Sequence, residues 1–296
     1  MPSPAAGEAY LEVNQAIDTT RPLGVEELKE LSKELRVDII QMLVEAGSGH
    51  PGGSLSAIDA LACLYFGGIL RYRANEPHWP GRDRFVLSKG HCSPAMYVTL
   101  ARAGFFPHDW LKTFRKFESR LQGHVDRLRV PGVDASTGSL GQGLSISVGM
   151  AITAKLDKAD WRVYCMLGDG ESEAGQVWEA TMSAPKFALD NLCLILDNNQ
   201  VQQTGLVVDI MNLNPIADKF RAFNWHAIEI DGHDHAQVID ALKEAQNTKG
   251  KPTAIVSHTI KGKGVSFMEL NPEWHGKAPN AEQGERAIAE ILGRKP

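Results

Sequence analysis

Short, wholly apolar runs alternate along this chain with stretches in which apolar residues recur every three or four positions. Val163-Tyr164-Cys165-Met166-Leu167 and Leu192-Cys193-Leu194-Ile195-Leu196 are runs of the first kind, each ended by small or polar turn residues. They predict strands buried on both faces. Between them Glu173 to Leu189 carries helical spacing, so the unit predicted is strand, helix, strand. Upstream, Leu28, Leu31, Leu35, Val37, Ile39, Ile40 and Leu43 follow at near-helical spacing and stop at Gly47-Ser48-Gly49. A second helix is expected over Leu55 to Leu70 with Ser54 as its N-cap. Arg84 to Ser88 reads as a short strand, Pro94 to Ala103 as the helix behind it, and Leu144 to about Leu156 as a helix of small residues. Strands at Trp225 to Ile230 and Thr253 to His258, with helices at Ala236 to Ala245 and Glu282 to Leu292, complete the series. Such alternation predicts an α/β fold, a mostly parallel sheet with helices on both faces. Residues 1–24 carry Pro and Ala with weak periodicity and read as an N-terminal arm, leaving 25–296 as one domain.

Composition narrows the classes. Of 296 residues 43% are apolar and 23% charged, enough to bury a sizeable core. The formal net charge of −5, without a basic block, argues against nucleic-acid and anionic-membrane partners. The longest apolar run, Leu55 to Leu70, contains Asp59 and is too short to span a bilayer. Four cysteines, Cys63, Cys92, Cys165 and Cys193, show no C-x-x-C spacing, so neither zinc nor a disulfide framework is expected. A reducing cytoplasm fits, and the first residues lack a secretory signal.

The two strand ends carry the chemistry. Gly168-Asp169-Gly170 follows the first run and Asp197-Asn198-Asn199 the second. Parallel strands deliver both ends to one edge of the sheet, where ligands bind. A carboxylate and a carboxamide there make a hard-cation site with too few ligands of its own. Magnesium commonly takes its remaining ligands from phosphate and water, so a diphosphate is the simplest completion. Gly168 and Gly170 suit close approach of backbone N–H groups to phosphate. The plainer alternative is two ordinary turns. Gly138-Ser139-Leu140-Gly141-Gln142-Gly143 is neither a P-loop, since no Gly-Lys-Ser/Thr follows, nor a dinucleotide fingerprint, since Ile146 stands where a third Gly or Ala belongs. Its small residues equally suit close helix packing, including against a second subunit. Histidine stands beside glycine at Gly49-His50, Gly90-His91, Gly123-His124, Gly232-His233 and His275-Gly276. The first three lie in expected loops, where an imidazole is free to point into a crevice and move protons near neutral pH. His233 and His235 are read instead as part of a strand-to-helix turn capped by Asp234, outside the site.

Taken in order, Ser48-Gly49-His50-Pro51, Asp83 to His91, Gly123-His124, Thr137 to Gly143, Gly168-Asp169-Gly170-Glu171, Leu196 to Asn199, Lys261-Gly262-Lys263-Gly264 and Trp274-His275-Gly276 resemble the thiamine-diphosphate-binding half of transketolase, from about residue 25 to 280. The resemblance implies that Asp169, Asn199 and the carbonyl of Val201 coordinate Mg2+ or Ca2+ bridging the phosphates of thiamine diphosphate. It implies that His91, Gly170, Lys261 and His275 contact that cofactor, with Gly138, Ser139 and Leu140 along its other groups. His50, His124 and His275 would reach the substrate. The implied reaction moves a two-carbon ketol unit from a ketose to an aldose, with the cofactor as electron sink. Two departures stand out. Glu173 falls one place before the glutamate common in the family, which puts a carboxylate link between paired sites in question. Gly53 stands where relatives often carry Ser, leaving Ser54 as the nearest replacement hydroxyl. The chain ends without the pyrimidine-binding and third domains of long transketolases. It therefore reads as the N-terminal subunit of a split enzyme, needing a separate C-terminal subunit that carries the pyrimidine-binding domain, as α2β2. Competing readings are the α subunit of a thiamine-dependent 2-oxo acid dehydrogenase and a noncatalytic assembly subunit.

Overall fold

A computed structural model describes residues 21–294. The arm expected over 1–24 lies almost wholly outside the described residues. Helices α1 (Val25–Ala46) and α2 (Pro51–Phe66) precede strand β1 (Arg84–Leu87) and helix α3 (Ser93–Arg102). Then come α4 (Gln142–Leu156), β2 (Val163–Gly168), α5 (Gly175–Lys186), β3 (Leu192–Asn198), the short α6 (Val207–Ile210) and α7 (Ile216–Ala222). The chain closes with β4 (His226–Asp231), α8 (His235–Asn247), β5 (Thr253–His258) and α9 (Ala281–Ile291).

All five strands run parallel in the order β1-β2-β3-β5-β4. Alternation along each strand serves two cores. Phe85, Tyr164, Met166, Cys193, Ile195 and Ile255 pack with α1, α2, α3 and α8. Val86, Cys165, Leu167, Leu194, Leu196 and Val256 pack on the other face with α4, α5 and α7. Burial on both faces is why β2 and β3 read as unbroken apolar runs rather than alternating ones. All four cysteines are buried and form no disulfide. No helix among the described residues is long and apolar enough to cross a membrane.

Helices α6 and α7 lie outside the expected set, α4 starts at Gln142 rather than Leu144, α5 spans Gly175–Lys186 rather than Glu173–Leu189, and α2 differs most, ending at Phe66 rather than Leu70 and starting early. Helix α2 begins at Pro51, with His50 at the cap position, and Ser54 lies inside it, donating from Oγ to the His50 carbonyl at 2.8 Å. Proline suits the first helical position because its missing N–H would have no intrahelical partner there. The earlier start turns the leading end of α2 toward the strand ends. Gly52 makes that approach possible, since a Cβ there would lie 3.0 Å from the Trp274 carbonyl oxygen. Helix α8 is capped as expected, with Asp234 accepting from the amides of Ala236 and Gln237.

Candidate active site

The register of β2 and β3 pairs Gly168 with Asp197, so the residues that follow each strand emerge side by side. The Asp169 carboxylate accepts from the Gln200 amide at 2.6 Å and from the Gly170 amide at 2.8 Å. Asp169 thus sits directly against the turn that holds Asn199. Asn199 turns its amide nitrogen to Asp197 at 2.9 Å, leaving Oδ1 toward the Val201 amide at 3.3 Å. The Val201 carbonyl accepts from Lys261 Nζ at 2.7 Å, and the same ammonium lies 2.7 Å from His275 Nδ1. Asp169, Asn199, Val201, Lys261 and His275 are therefore joined by one short chain of contacts.

Beneath them lies a pair outside the set of residues expected at the site. Lys89 and Asp197 form an ion pair with both side chains fully buried. Asp197 also accepts from Ser56 Oγ at 2.7 Å and Thr259 Oγ1 at 2.5 Å, and Lys89 donates to the Gly53 carbonyl at 3.1 Å. Burial works against its charge, yet Lys89 and these donors hold Asp197 below the usual carboxylate range. The nearby Asp169 behaves oppositely: burial, then repulsion from Asp197, pushes it up to about 6. A carboxylate so placed gains from a cation beside it. Glu171 is likewise structural, receiving Ser88 Oγ at 2.5 Å and the amides of Gly141 and Gly168 at 2.9 and 3.1 Å. The only signal for Lys89 and Glu171 in the sequence is their place within the motifs.

The glycine-flanked histidines converge. Ring centroids of His50 lie 5.2 Å from His91, 6.3 Å from His124 and 5.6 Å from His275, and His91 lies 5.1 Å from His275. Burial first, then neighbouring cations and imidazoles, lowers His50 and His275 to about 3 and His91 to about 4; His124 is lowered for the same reasons. All four are neutral imidazoles at pH 7, each with one N–H donor and one acceptor. A cavity of about 440 Å³ opens beside His50 and His275, lined also by Gln203, Glu273 and Gly276. Arg115, which no motif singles out, lies behind His50, with its guanidinium 3.4 Å from Nδ1 and donating to Ser48 Oγ at 2.6 Å.

Gly138 sits against His124, where an added Cβ would lie 3.0 Å from the ring, while Ser139 and Leu140 are exposed. Gly143 packs closely, but against Ser88 just past β1 rather than against another helix, with no room for a side chain. His233 and His235 stand apart: His233 bonds Asp59 and the Ile260 amide at 2.7 and 2.9 Å, and His235 bonds Ser32 at 2.8 Å. Ser54 supplies no hydroxyl to the crevice, because its Oγ is buried against the His50 carbonyl. Glu173 Oε1 is buried without a hydrogen-bond partner among the described residues.

Among the described residues no three His, Cys, Asp or Glu side chains group as metal ligands. A cation here would rest on Asp169 together with the carboxamide and carbonyl oxygens of Asn199 and Val201, an all-oxygen set suited to Mg2+ or Ca2+. That donor set, the nearby ammonium of Lys261 and the Gly170 amide fit a metal-bridged diphosphate.

A parallel α/β sheet with hard oxygen donors at two adjacent strand ends, ringed by neutral imidazoles, defines a diphosphate-binding domain of cofactor-dependent enzymes. A family model described as transketolase, thiamine diphosphate binding domain, matches residues 27–296, and the chain belongs to this family. It is 42% identical over 272 residues to a chain of Phocaeicola vulgatus named as one subunit of apulose-4-phosphate transketolase, covering 92% of this chain and 96% of that one. It is also 42% identical to the 6-deoxy-6-sulfo-D-fructose transketolase subunit SqwG of a Clostridium species, covering 90% and 96%. The solved transketolase of Campylobacter jejuni superposes with a TM-score of 0.86 at 32% identity, over 93% of this chain but 44% of that longer one. Membership in the transketolase family sets aside the 2-oxo acid dehydrogenase alternative.

Proposed function

We propose that the chain is the cofactor-binding subunit of a two-chain transketolase, which transfers a two-carbon ketol unit from a ketose to an aldose. The observation that carries this reading is the meeting of His50, His91, His124 and His275 at the strand ends that bear Asp169 and Asn199. A scaffold without catalysis has no need of four imidazoles there. The relatives of matching length are named as subunits, and the chain spans less than half of the solved single-chain enzyme. The subunit names support a separate second polypeptide; in this reading it carries the pyrimidine-binding domain and the assembly is α2β2. A cytoplasmic setting accords with four unpaired cysteines.

Asp169, Asn199 and the Val201 carbonyl would hold Mg2+ or Ca2+. Gly170, His91, Lys261 and His275 would meet the diphosphate, and Gly138, Ser139 and Leu140 would line the cofactor's other side. When bound, thiamine diphosphate supplies the electron sink for breaking a carbon–carbon bond. The chain's own part is orientation and charge stabilisation. His50 and His275, held neutral by burial, and the more exposed His124 would donate N–H bonds to the ketose oxygens and accept from its hydroxyls. A neutral imidazole can accept from a hydroxyl without first having to lose a proton to solvent. Arg115 fixes the His50 ring from behind and adds positive charge that keeps it unprotonated. Lys261, lowered to about 8 mainly by burial, remains an ammonium at neutral pH, suited to a phosphate oxygen.

The test is turnover with and without the second chain, co-purified, using phosphorylated and sulfonated ketoses with an aldose and no lipoyl acceptor. Product only in the two-chain sample is expected. Full activity of the purified single chain refutes the split, and no ketol transfer by the complex with any donor refutes the reaction.

A further inference from the structure

Five arginines and a histidine line a second cavity, of about 470 Å³, at the outer edge of the sheet beside β1. Arg82 and Arg84 come from the start of β1, Arg120 from the segment before His124, and Arg127 and Arg129 from the loop after it; His78 and Asp134 complete the polar wall. In a chain of net charge −5 this concentration of guanidinium groups runs against the overall balance.

Among the described residues, carboxylates pair with only two of the five. Arg82 pairs with Asp134, and Arg129 lies 3.5 Å from Asp126. Arg84 bonds the carbonyls of Arg82 and Pro80 and lies 4.3 Å over the Trp161 ring. Arg120 lies 5.0 Å over the Trp110 ring. The Arg127 side chain makes no ion pair or hydrogen bond with the described residues. Among the described residues Arg120 and Arg127 thus make no ion pair, and Arg84, held by backbone carbonyls, feels Asp134 and Asp83 only at longer range. Two of them rest on indole rings, which restrict their side chains. Burial, then repulsion from Arg82, lowers the Arg84 pKa even against the attraction of Asp134 and Asp83.

We infer that this cavity is a second ligand site, for a small molecule carrying two or more phosphoryl groups. Guanidinium groups match phosphate oxygens in a bidentate fork, and several of them around one cavity favour clustered phosphates over a lone carboxylate. The volume is that of a small-molecule pocket, and a concave pocket on an otherwise acidic chain does not suit an extended nucleic acid. The cavity lies beside the start of β1, and its lining includes none of the residues expected at the cofactor site, which gathers at the other end of the strands. It does not depend on the reaction proposed above.

The probe is inorganic triphosphate, titrated calorimetrically into the full chain without added metal. Saturable one-to-one binding is expected, weakening as salt rises. The Arg127→Ala/Arg129→Ala double variant, whose side chains are exposed, should keep its melting temperature and bind at least about tenfold more weakly, as expected for the loss of charge-assisted hydrogen bonds. Lys261→Met, which removes a cation from the cofactor site, should leave triphosphate binding unchanged. Absence of binding overturns the inference, as does equal affinity in the double variant. Weakening by Lys261→Met alone places the ion at the cofactor site and overturns it too. Loss of uptake once the second chain is bound makes the cavity a protein contact, and the ligand reading fails. Failure of the cofactor reading shows separately, as an absent melting shift with thiamine diphosphate.

Discussion

Asp169 is held where a carboxylate is uncomfortable, buried beside the charged Asp197 and pushed up to about 6. Replacing it with Asn removes that repulsion but turns an amide NH2 toward one of the two backbone N–H groups its separate oxygens now accept from, so the bare chain should lose no more than about 1–3 kcal/mol. The same change should abolish the rise in melting temperature produced by thiamine diphosphate with Mg2+. In the unchanged protein, ligand at one hundred times its dissociation constant is worth about 2.7 kcal/mol. The histidines make a separate prediction. His50 and His91 have folded-state values of about 3 and 4, below the ordinary imidazole value of 6.5. The unfolded chain therefore binds more protons below pH 6.5, so their neutral burial is fully stabilising above that pH and loses ground as pH falls toward 4. Denaturant unfolding of the bare chain at pH 7 and pH 5 should show this loss, and a His50→Asn/His91→Asn variant should show a smaller one. Equal slopes would contradict the assignment. Asp169, Asn199 and the histidines were legible because each ends an apolar run or sits beside glycine in a loop. Lys89, Ser56 and Thr259 were not, because their common partner Asp197 lies 108, 141 and 62 residues away in sequence and no local pattern encodes such a pairing.

At the scale of elements, the strands β2 and β3 stand where their apolar runs predicted, since burial on both faces leaves an unmistakable block. The start of α2 departs from its expected place because Ser54 is a good cap by type, whereas Pro51 fixes the backbone three residues earlier. That shift matters, because it brings Gly53 and Ser56 onto the Lys89–Asp197 pair that ties β1, β3 and α2 together. Lys89→Met leaves Asp197 buried and uncompensated, so it should cost about 3–5 kcal/mol of stability, read from the denaturation midpoint. A loss below about 1 kcal/mol, the range of a surface pair, would mean that the pair is not buried in solution.

For the molecule as a whole, alternating strands and helices revealed the parallel sheet, because each helix must cover one apolar face of it. The two cavities were not legible, since each draws on segments far apart in sequence. In the proposed function, one edge of the sheet gathers a cation, a diphosphate and four neutral imidazoles, while the opposite walls of the crevice come from a second chain. The most direct test is a crystal of the two-chain complex with thiamine diphosphate and Mn2+ in place of Mg2+, probed by anomalous scattering. The account predicts one metal peak about 2.1 Å from oxygens of Asp169, Asn199 and the Val201 carbonyl. A peak elsewhere, or cofactor bound with these three groups unengaged, would contradict it.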